Sequence, residues 1–488
     1  MLPYNNIIQL DRQSTTPVFL QLTNELVKLI QNGQLTPNTK LPSSRMLAML
    51  LQLNRNTVTK SLEELEALGW VNILPKKGTF VVDTFPQIRP NKWSSEPNTN
   101  LESVAPSFNF YDFPALKKPV AFDYSVGFDD GLPDVRLAPI DELAKGYARN
   151  IRQLAFETDL NYKDGLGNLA LRQQLVKLLN ETRGLNITVD HILITRGTVM
   201  AIHLAVAACV KKGDLVAVGA TNYQTADMII RHFGGQIVRI PVDEKGLQVA
   251  KLAEICATQT IRAVYVTSHH HHPTTVTLSP ERRIALLDLS HQHNFVILED
   301  DYDYDFHYDN SPVLPLASAN QSGSVLYFGS FTKVLAPAFR VGYLVGPPNL
   351  IEVLPKLRRI FDRQGDTILE KTIADLLQDG TIRRHLKKSW QRYKLRRNFC
   401  CDLLEKEVGD WVTFDKPTGG MAIWAQFAPR ISIPQLSKKM IAKGVYLADG
   451  STYNPAGQQL NAVRMGFASL NLREIDHCVE TLKRVIAG

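Results

Sequence analysis

Apolar residues recur every three or four positions in three successive runs near the start of the chain. Phe19, Leu22, Leu26, Leu29 and Ile30 share one face of a helix predicted over residues 17–30 and stopped near Gly33. Leu41-Pro42-Ser43-Ser44-Arg45 opens a second helix, with a serine suited to cap it and with Leu47, Leu50 and Leu51 facing inward. Asn54 caps a third that runs to Gly69, turning Val58, Leu62, Leu65 and Leu68 toward a core and Arg55, Asn56, Thr57 and Lys60 to the opposite face. The pattern then changes: Trp70 to Leu74 and Gly78 to Val82 read as short strands around Pro75-Lys76-Lys77, a basic hairpin tip.

From Asp83 to about Val120 the periodicity fades, and Pro86, Pro90, Pro97, Pro106 and Pro114 stand among Asn, Ser and Lys, the composition of a linker. Beyond Phe122, strand-like runs (residues 191–195, 215–218, 263–266, 295–298 and 325–328) alternate with amphipathic stretches. Such alternation predicts a mostly parallel sheet covered by helices on both faces. Helical connections dominate from Ile351 to Leu404, and a mixed strand and helix region follows to Gly488. The expected organisation is therefore a small domain over residues 1–83, a linker over 84–120 and an α/β unit over 121–488.

At 488 residues the chain exceeds one ordinary core, and an apolar fraction of 44% with mixed charges is that of a globular protein. No apolar run approaches the roughly 20 residues that cross a bilayer, and residues 1–12 lack the pattern of a signal peptide, so the cytoplasm is the expected location. Five scattered cysteines (Cys209, Cys256, Cys400, Cys401 and Cys478) without metal-type pairing fit reduced thiols. A net charge of +7 permits an anionic partner. Three helices followed by a basic hairpin meet the requirements of a winged helix-turn-helix. The amino end of the second helix can receive a DNA phosphate, Arg45 adds charge, and the third helix fits a major groove.

The chemistry centres on Ser330-Phe331-Thr332-Lys333, which follows an apolar, β-branched run, and on Arg340 shortly after it. A loop past the carboxyl end of a buried strand is where open α/β sheets bind ligands. A partly desolvated lysine amine can form a Schiff base with an aldehyde, and Ser330, Thr332 and Arg340 can serve one phosphate. Together these residues point to pyridoxal 5'-phosphate. That cofactor needs a carboxylate on its ring nitrogen, and Ile297-Leu298-Glu299-Asp300-Asp301-Tyr302-Asp303 offers Asp300 or Asp301 at a strand end. Adjacent residues there point to opposite faces, so only one reaches the ring. Arg196-Gly197-Thr198 precedes a helix whose N–H groups can also serve the phosphate.

The Lys333 segment resembles the Schiff-base loop of fold-type I aminotransferases. Residues 17–81, including Leu41-Pro42-Ser43-Ser44-Arg45, Arg55-Asn56-Thr57-Val58 and Gly78-Thr79-Phe80-Val81, resemble a GntR-type winged helix-turn-helix. Together they resemble the MocR family of bacterial transcriptional regulators. The resemblance implies a winged helix followed by a fold-type I domain with a large α/β part and a small carboxyl-terminal subdomain. It favours Asp300 for the ring nitrogen, with Tyr302 donating to the phenolic oxygen and Tyr223 covering the ring. Arg464 would pair with an amino acid's carboxylate, and Tyr162 would reach a partner subunit's phosphate in a homodimer. Ser44, Arg45, Arg55, Thr57, Lys60 and Gly78 would lie near DNA.

The outer shell departs from that pattern. His269-His270-His271-His272-Pro273-Thr274-Thr275 replaces a His-Gln-aromatic-Pro-Thr-Gly run, and Gly219-Ala220-Thr221 replaces Glu-Asp-Pro before Tyr223. Four adjacent histidines cannot all turn to one ion, so they read as a pocket rim rather than a metal site. Arg383, Arg384, Lys387, Lys388, Arg392, Lys394, Arg396 and Arg397 form a basic run that reads as a solvated helix face or a second DNA contact. The function expected is DNA-binding regulation in which an amine, an amino acid or the cofactor itself is sensed at the Lys333 Schiff base. The alternative is an active aminotransferase carrying a winged helix, with at least a residual half-reaction. The altered segments weigh against efficient turnover.

Overall fold

The structure is a computed structural model that describes residues 2–83, 108, 126–154, 160–309, 313–320, 323–454 and 459–487. The chain divides into two compact units, Met1–Lys117 and Lys118–Gly488. The linker expected over 84–120 lies, but for Phe108, outside the described residues.

In the first unit, helices Val18–Gln31, Ser44–Leu51 and Arg55–Ala67 precede an antiparallel hairpin of Val71–Leu74 and Gly78–Val81. The Ser43 hydroxyl accepts from the Met46 N–H at 3.3 Å, and Asn54 Oδ1 from the Asn56 N–H at 2.9 Å. Each cap satisfies a helix donor that would otherwise have no partner, worth about 1 kcal/mol. Between the second and third helices Gln52 adopts φ +51°, a left-handed turn that ends one helix so that Asn54 can start the next. Leu22, Leu26, Leu47, Val58 and Leu65 fill one core, joined by Tyr4 from a single-turn helix, Tyr4–Ile7, too short to leave a periodic signal. Leu68, expected in that core, is 50% exposed. The helix ends at Ala67 with Leu68 as its cap residue, and at roughly 100° per residue Leu68 falls about 80° from Val58 and about 120° from Leu62, at the edge of the apolar face rather than within it.

In the second unit a seven-stranded sheet runs, in spatial order, Ile192–Thr195, Gly342–Val345, Val325–Ser330, Val296–Asp300, Ile261–Val266, Leu215–Gly219 and Gln236–Ile240. Gly342–Val345 is antiparallel to both neighbours, and the other pairings are parallel. The parallel strands therefore deliver residues 195–198, 219–223, 266–272, 300–303 and 330–333 to one edge. Apart from the edge strand Gln236–Ile240 they are largely buried on both faces, as expected of strands covered by helices.

A smaller antiparallel sheet joins Val412–Thr413, Ala422–Phe427 and Ala462–Gly466. Beside it Val126–Phe128 pairs in parallel with Val445–Leu447, so a segment from early in this unit completes the carboxyl-terminal region and carries Asp129-Asp130-Gly131 with it. The basic run lies on the long helix Thr381–Val408, but it is not one solvated face. Arg396 and Arg397 are buried, Arg396 pairing with Asp134 at 2.8 Å and Arg397 with Asp309. A residue-type count could not separate these two inward positions from the exposed Arg383, Arg384, Lys387, Lys388 and Arg392.

The burial contrast in the first unit is testable by urea unfolding of the full chain. Leu65→Ala, at a fully buried position, is expected to destabilise the amino-terminal unit by about 2–5 kcal/mol. Leu68→Ala is expected to change it by less than about 0.5 kcal/mol.

Candidate functional site

The strand register assembles one corner of the site. Gly342 is paired with Ser330 on one side and Thr195 on the other, which brings the Arg196-Gly197-Thr198 turn against the Ser330–Arg340 segment. A Cβ on Gly197 would meet Arg340 Nη2 at 2.9 Å, and one on Gly342 would meet the Gly197 Cα at 2.8 Å. Gly197 also has φ +79°, so both space and backbone select glycine. Helix Thr198–Cys209 has no side-chain cap, and its first N–H groups stay available. Thr332 donates its N–H to the Ser330 hydroxyl at 3.0 Å, the two hydroxyls lie 2.8 Å apart, and Arg340 donates to the Arg196 carbonyl at 2.9 Å. Hydroxyls, a guanidinium and a helix amino end converge, the donor set of an anion cradle.

Lys333 follows on the same loop. Its Nζ donates to the Gly131 carbonyl at 2.6 Å and lies 6.0 Å from the Tyr302 ring centroid. Burial pulls its pKa below the usual lysine value, with Asp130 opposing that shift and Arg464 adding to it. Asp300 and Asp301 diverge as strand geometry requires. Asp300 Oδ2 accepts from the Tyr265 hydroxyl at 2.7 Å, while its Oδ1 is buried without a hydrogen-bond partner. Burial pushes the Asp300 carboxyl up to about 7. Asp301 accepts from the Tyr327 hydroxyl at 2.6 Å and lies 3.2 Å from His269. Burial would raise its pKa too, but His269 and Tyr327 outweigh it and hold it at about 2.

Tyr223 sits at the amino end of helix Gln224–His232, half-buried, its ring 5.4 Å from that of His272. Burial raises its phenol, and the nearby Asp300 charge adds to this. Tyr302 donates to the His270 carbonyl at 2.8 Å. Arg464 is 1% exposed: its Nη2 donates to the Tyr302 hydroxyl at 3.4 Å, its Nη1 to the Pro273 carbonyl at 3.2 Å and its Nε to the Asp130 carbonyl at 3.3 Å, with Asp130 Oδ1 3.4 Å from Nε. Tyr162 stands apart on the surface of the chain, 69% exposed, beneath the Arg363 guanidinium.

The histidine run is not a rim. All four side chains are buried and turn to different partners: His269 to Asp301, His270 to Asp303 at 2.7 Å, His271 to Thr274 at 2.8 Å and His272 to Asp130 at 3.0 Å. Exposure was expected because a polar run past a strand usually meets water, but here three aspartates from other segments draw the rings inward. No group of three metal-type ligands forms among the described residues. Asp130, Gly131, Tyr265 and Asp303 are contributors that the sequence reading did not single out as site residues. Asp-Asp-Gly after the apolar Val126–Phe128 was a turn signal, but nothing local said that it would meet Lys333.

In the first unit, Arg45, Arg55 and Lys60 are exposed, and Ser44, Thr57 and Gly78 partly so. Ser44 and Arg55 are the first residues of the second and third helices of the three-helix set. Gly78 has φ +118° against the Lys40 side chain.

Residues 129–482 match the family described as aminotransferase class I and II, and residues 20–81 match the bacterial regulatory proteins of the gntR family. An uncharacterized HTH-type transcriptional regulator, YdfD, of Bacillus subtilis (strain 168) is 27% identical over 484 residues, covering 96% of each chain. The probable rhizopine catabolism regulatory protein MocR of Rhizobium meliloti is 25% identical, covering 98% of this chain and 95% of its own. Among solved structures, a kynurenine aminotransferase from Pyrococcus horikoshii in complex with PMP is 27% identical, with a TM-score of 0.69 over 75% of this chain and 91% of that one.

Asp300 makes stability depend on pH. Its carboxyl titrates at about 7 in the folded chain against 3.8 as a free side chain, so the folded state binds the extra proton between these values. The stabilisation is complete below pH 4 and is lost as pH rises through 7, by up to about 4 kcal/mol. In ligand-free protein Asp300→Asn is expected to escape this loss. Urea unfolding at pH 5 and pH 8 should show the variant gaining on wild type at the higher pH.

Proposed function

The chain belongs to the class I and II aminotransferase family, joined as in MocR-type regulators to a gntR-family domain, and from that premise we propose a pyridoxal-phosphate-dependent, DNA-binding transcriptional regulator of the cytoplasm. The observation that carries the cofactor reading is the buried Asp300 Oδ1 without a partner, on the same sheet edge as the Gly197–Arg340 cradle. A buried carboxylate oxygen without a donor is costly, and a protonated ring nitrogen is the donor it lacks. The residues present fit the cofactor. Ser330, Thr332, Arg340, Gly197 and Thr198 would hold the phosphate, Asp300 the ring nitrogen, and Tyr223 the ring face. Tyr302 would turn from the His270 carbonyl to the phenolic oxygen. Tyr162, exposed in one chain, would reach the phosphate in a second copy, making a homodimer.

Pyridoxal phosphate supplies an aldehyde with which a primary amine condenses. Burial keeps the Lys333 amine reactive by disfavouring its charged form. With the cofactor bound, an amine or amino-acid effector would take the place of Lys333 at the aldehyde, and the Gly131 carbonyl, which already accepts from Lys333 Nζ at 2.6 Å, would hold the freed amine. The first unit would place the helix Arg55–Ala67 in a major groove, with Ser44, Arg45 and Gly78 toward the backbone and Arg55, Thr57 and Lys60 on the groove-facing helix.

Visible spectra test the cofactor site: protein loaded with pyridoxal phosphate is expected to show an absorption band that reduction fixes to Lys333, and Lys333→Ala is expected to lack it. Equal spectra would overturn the covalent reading. On the DNA side, Arg45→Ala is expected to weaken binding and to lower the slope of log affinity against log salt by about one, as loss of one phosphate contact should. Filter binding across a salt series measures both.

A further inference from the structure

The pairing of Arg464 determines which amines this site accepts. The guanidinium is almost fully buried, and each of its three nitrogens already has an oxygen neighbour. Asp130 is one neighbour twice over: Arg464 Nε donates to its main-chain carbonyl at 3.3 Å and lies 3.4 Å from its carboxylate Oδ1, and the two carboxylate oxygens also lie 3.0 Å from His272 Nε2 and 3.0 Å from the Tyr453 hydroxyl. The side chain of Asp130 remains 48% exposed, so it faces accessible space while Arg464 behind it does not. Gly131, with φ +80°, packs its Cα side against Arg464 and gives its carbonyl to Lys333. A single turn thus holds an internal carboxylate on the arginine and touches the reactive amine. A ligand carboxylate arriving here meets Asp130 before it meets Arg464, and like charges brought together are strongly disfavoured.

A second observation points the same way. Asp303 is 3% exposed, and its Oδ2 has no hydrogen-bond partner although Oδ1 is held by His270. Asp129, Asp130 and Asp303 all act on Lys333 as charges that favour a cation. The surroundings of the reacting nitrogen are acidic, with one arginine already neutralised.

We infer that the effector at Lys333 is a cationic primary amine with no carboxylate on the reacting carbon, a diamine in the simplest case, and that Asp130 excludes α-amino acids by occupying Arg464. This rests on the reading that amines are sensed at Lys333 and narrows it to one chemical class.

The test compares 1,5-diaminopentane with L-lysine, which differ by one carboxylate, as titrants of the visible spectrum of pyridoxal-phosphate-loaded full-length protein. Wild type is expected to half-saturate with the diamine at a concentration lower by about tenfold or more. Asp130→Ala is expected to shrink or invert that ratio by improving L-lysine. Asp130→Asn, which keeps the side chain's shape, serves if the alanine variant does not fold. Equal or tighter response to L-lysine in wild type overturns this inference and leaves amine sensing standing. A spectrum that depends on Lys333 but responds to neither amine also overturns it. A spectrum that does not depend on Lys333 overturns the reading on which it rests.

Discussion

The site depends on one antiparallel strand in an otherwise parallel sheet. Gly342–Val345 lies between Ile192–Thr195 and the strand that ends at Ser330, and its register pairs Gly342 with both Thr195 and Ser330. Segments about 130 residues apart in sequence are thereby fixed at van der Waals distance. A side chain at Gly197 or Gly342 would separate them. Because the strand enters from the edge where its neighbours end, Arg340 is delivered beside a helix amino terminus rather than to the far side of the sheet. Backbone hydrogen bonds, rather than side-chain contacts, set this arrangement.

On that frame the electrostatics divide into two compartments. Around Asp300 the environment is dry and supplies one phenol, leaving a carboxyl poised to be neutral until a cationic partner arrives. Around Lys333 the environment is crowded with charge: Asp129 and Asp130 from the early strand segment, Asp303 from the sheet edge and Arg464 from the small sheet. The Gly466 N–H donates to the Asp129 carbonyl at 2.7 Å, which ties the small sheet to the Asp130 turn. Any shift of that turn changes what Lys333 touches.

Much of this was legible in the chain because the signals were local. The caps Ser43 and Asn54, the strand before Lys333 and the alternation of strands and helices each follow from a few adjacent residues, and the opposed directions of Asp300 and Asp301 follow from strand geometry alone. What was not legible was long-range. Asp130 meets Arg464 across more than 300 residues, and only the fold brings them together. The histidine run looked exposed because its partners, Asp130, Asp301 and Asp303, come from other segments. Arg396 and Arg397 looked like surface charge because Asp134 and Asp309 lie far away in sequence. Leu68 was misplaced because it lies at the edge of its helix's apolar face, in the cap position.

The central claim is that amine chemistry at Lys333 and DNA binding by the amino-terminal unit are coupled. The most direct measurement is the dissociation constant for a duplex selected by the cofactor-loaded protein from a random pool, with and without a saturating primary amine, in wild type and in Lys333→Ala. Coupling predicts that the amine changes wild-type affinity by a factor of about 5–150 and leaves the variant unchanged. Identical affinities in wild type with and without an amine that alters its spectrum would contradict it, and the two units would then act independently.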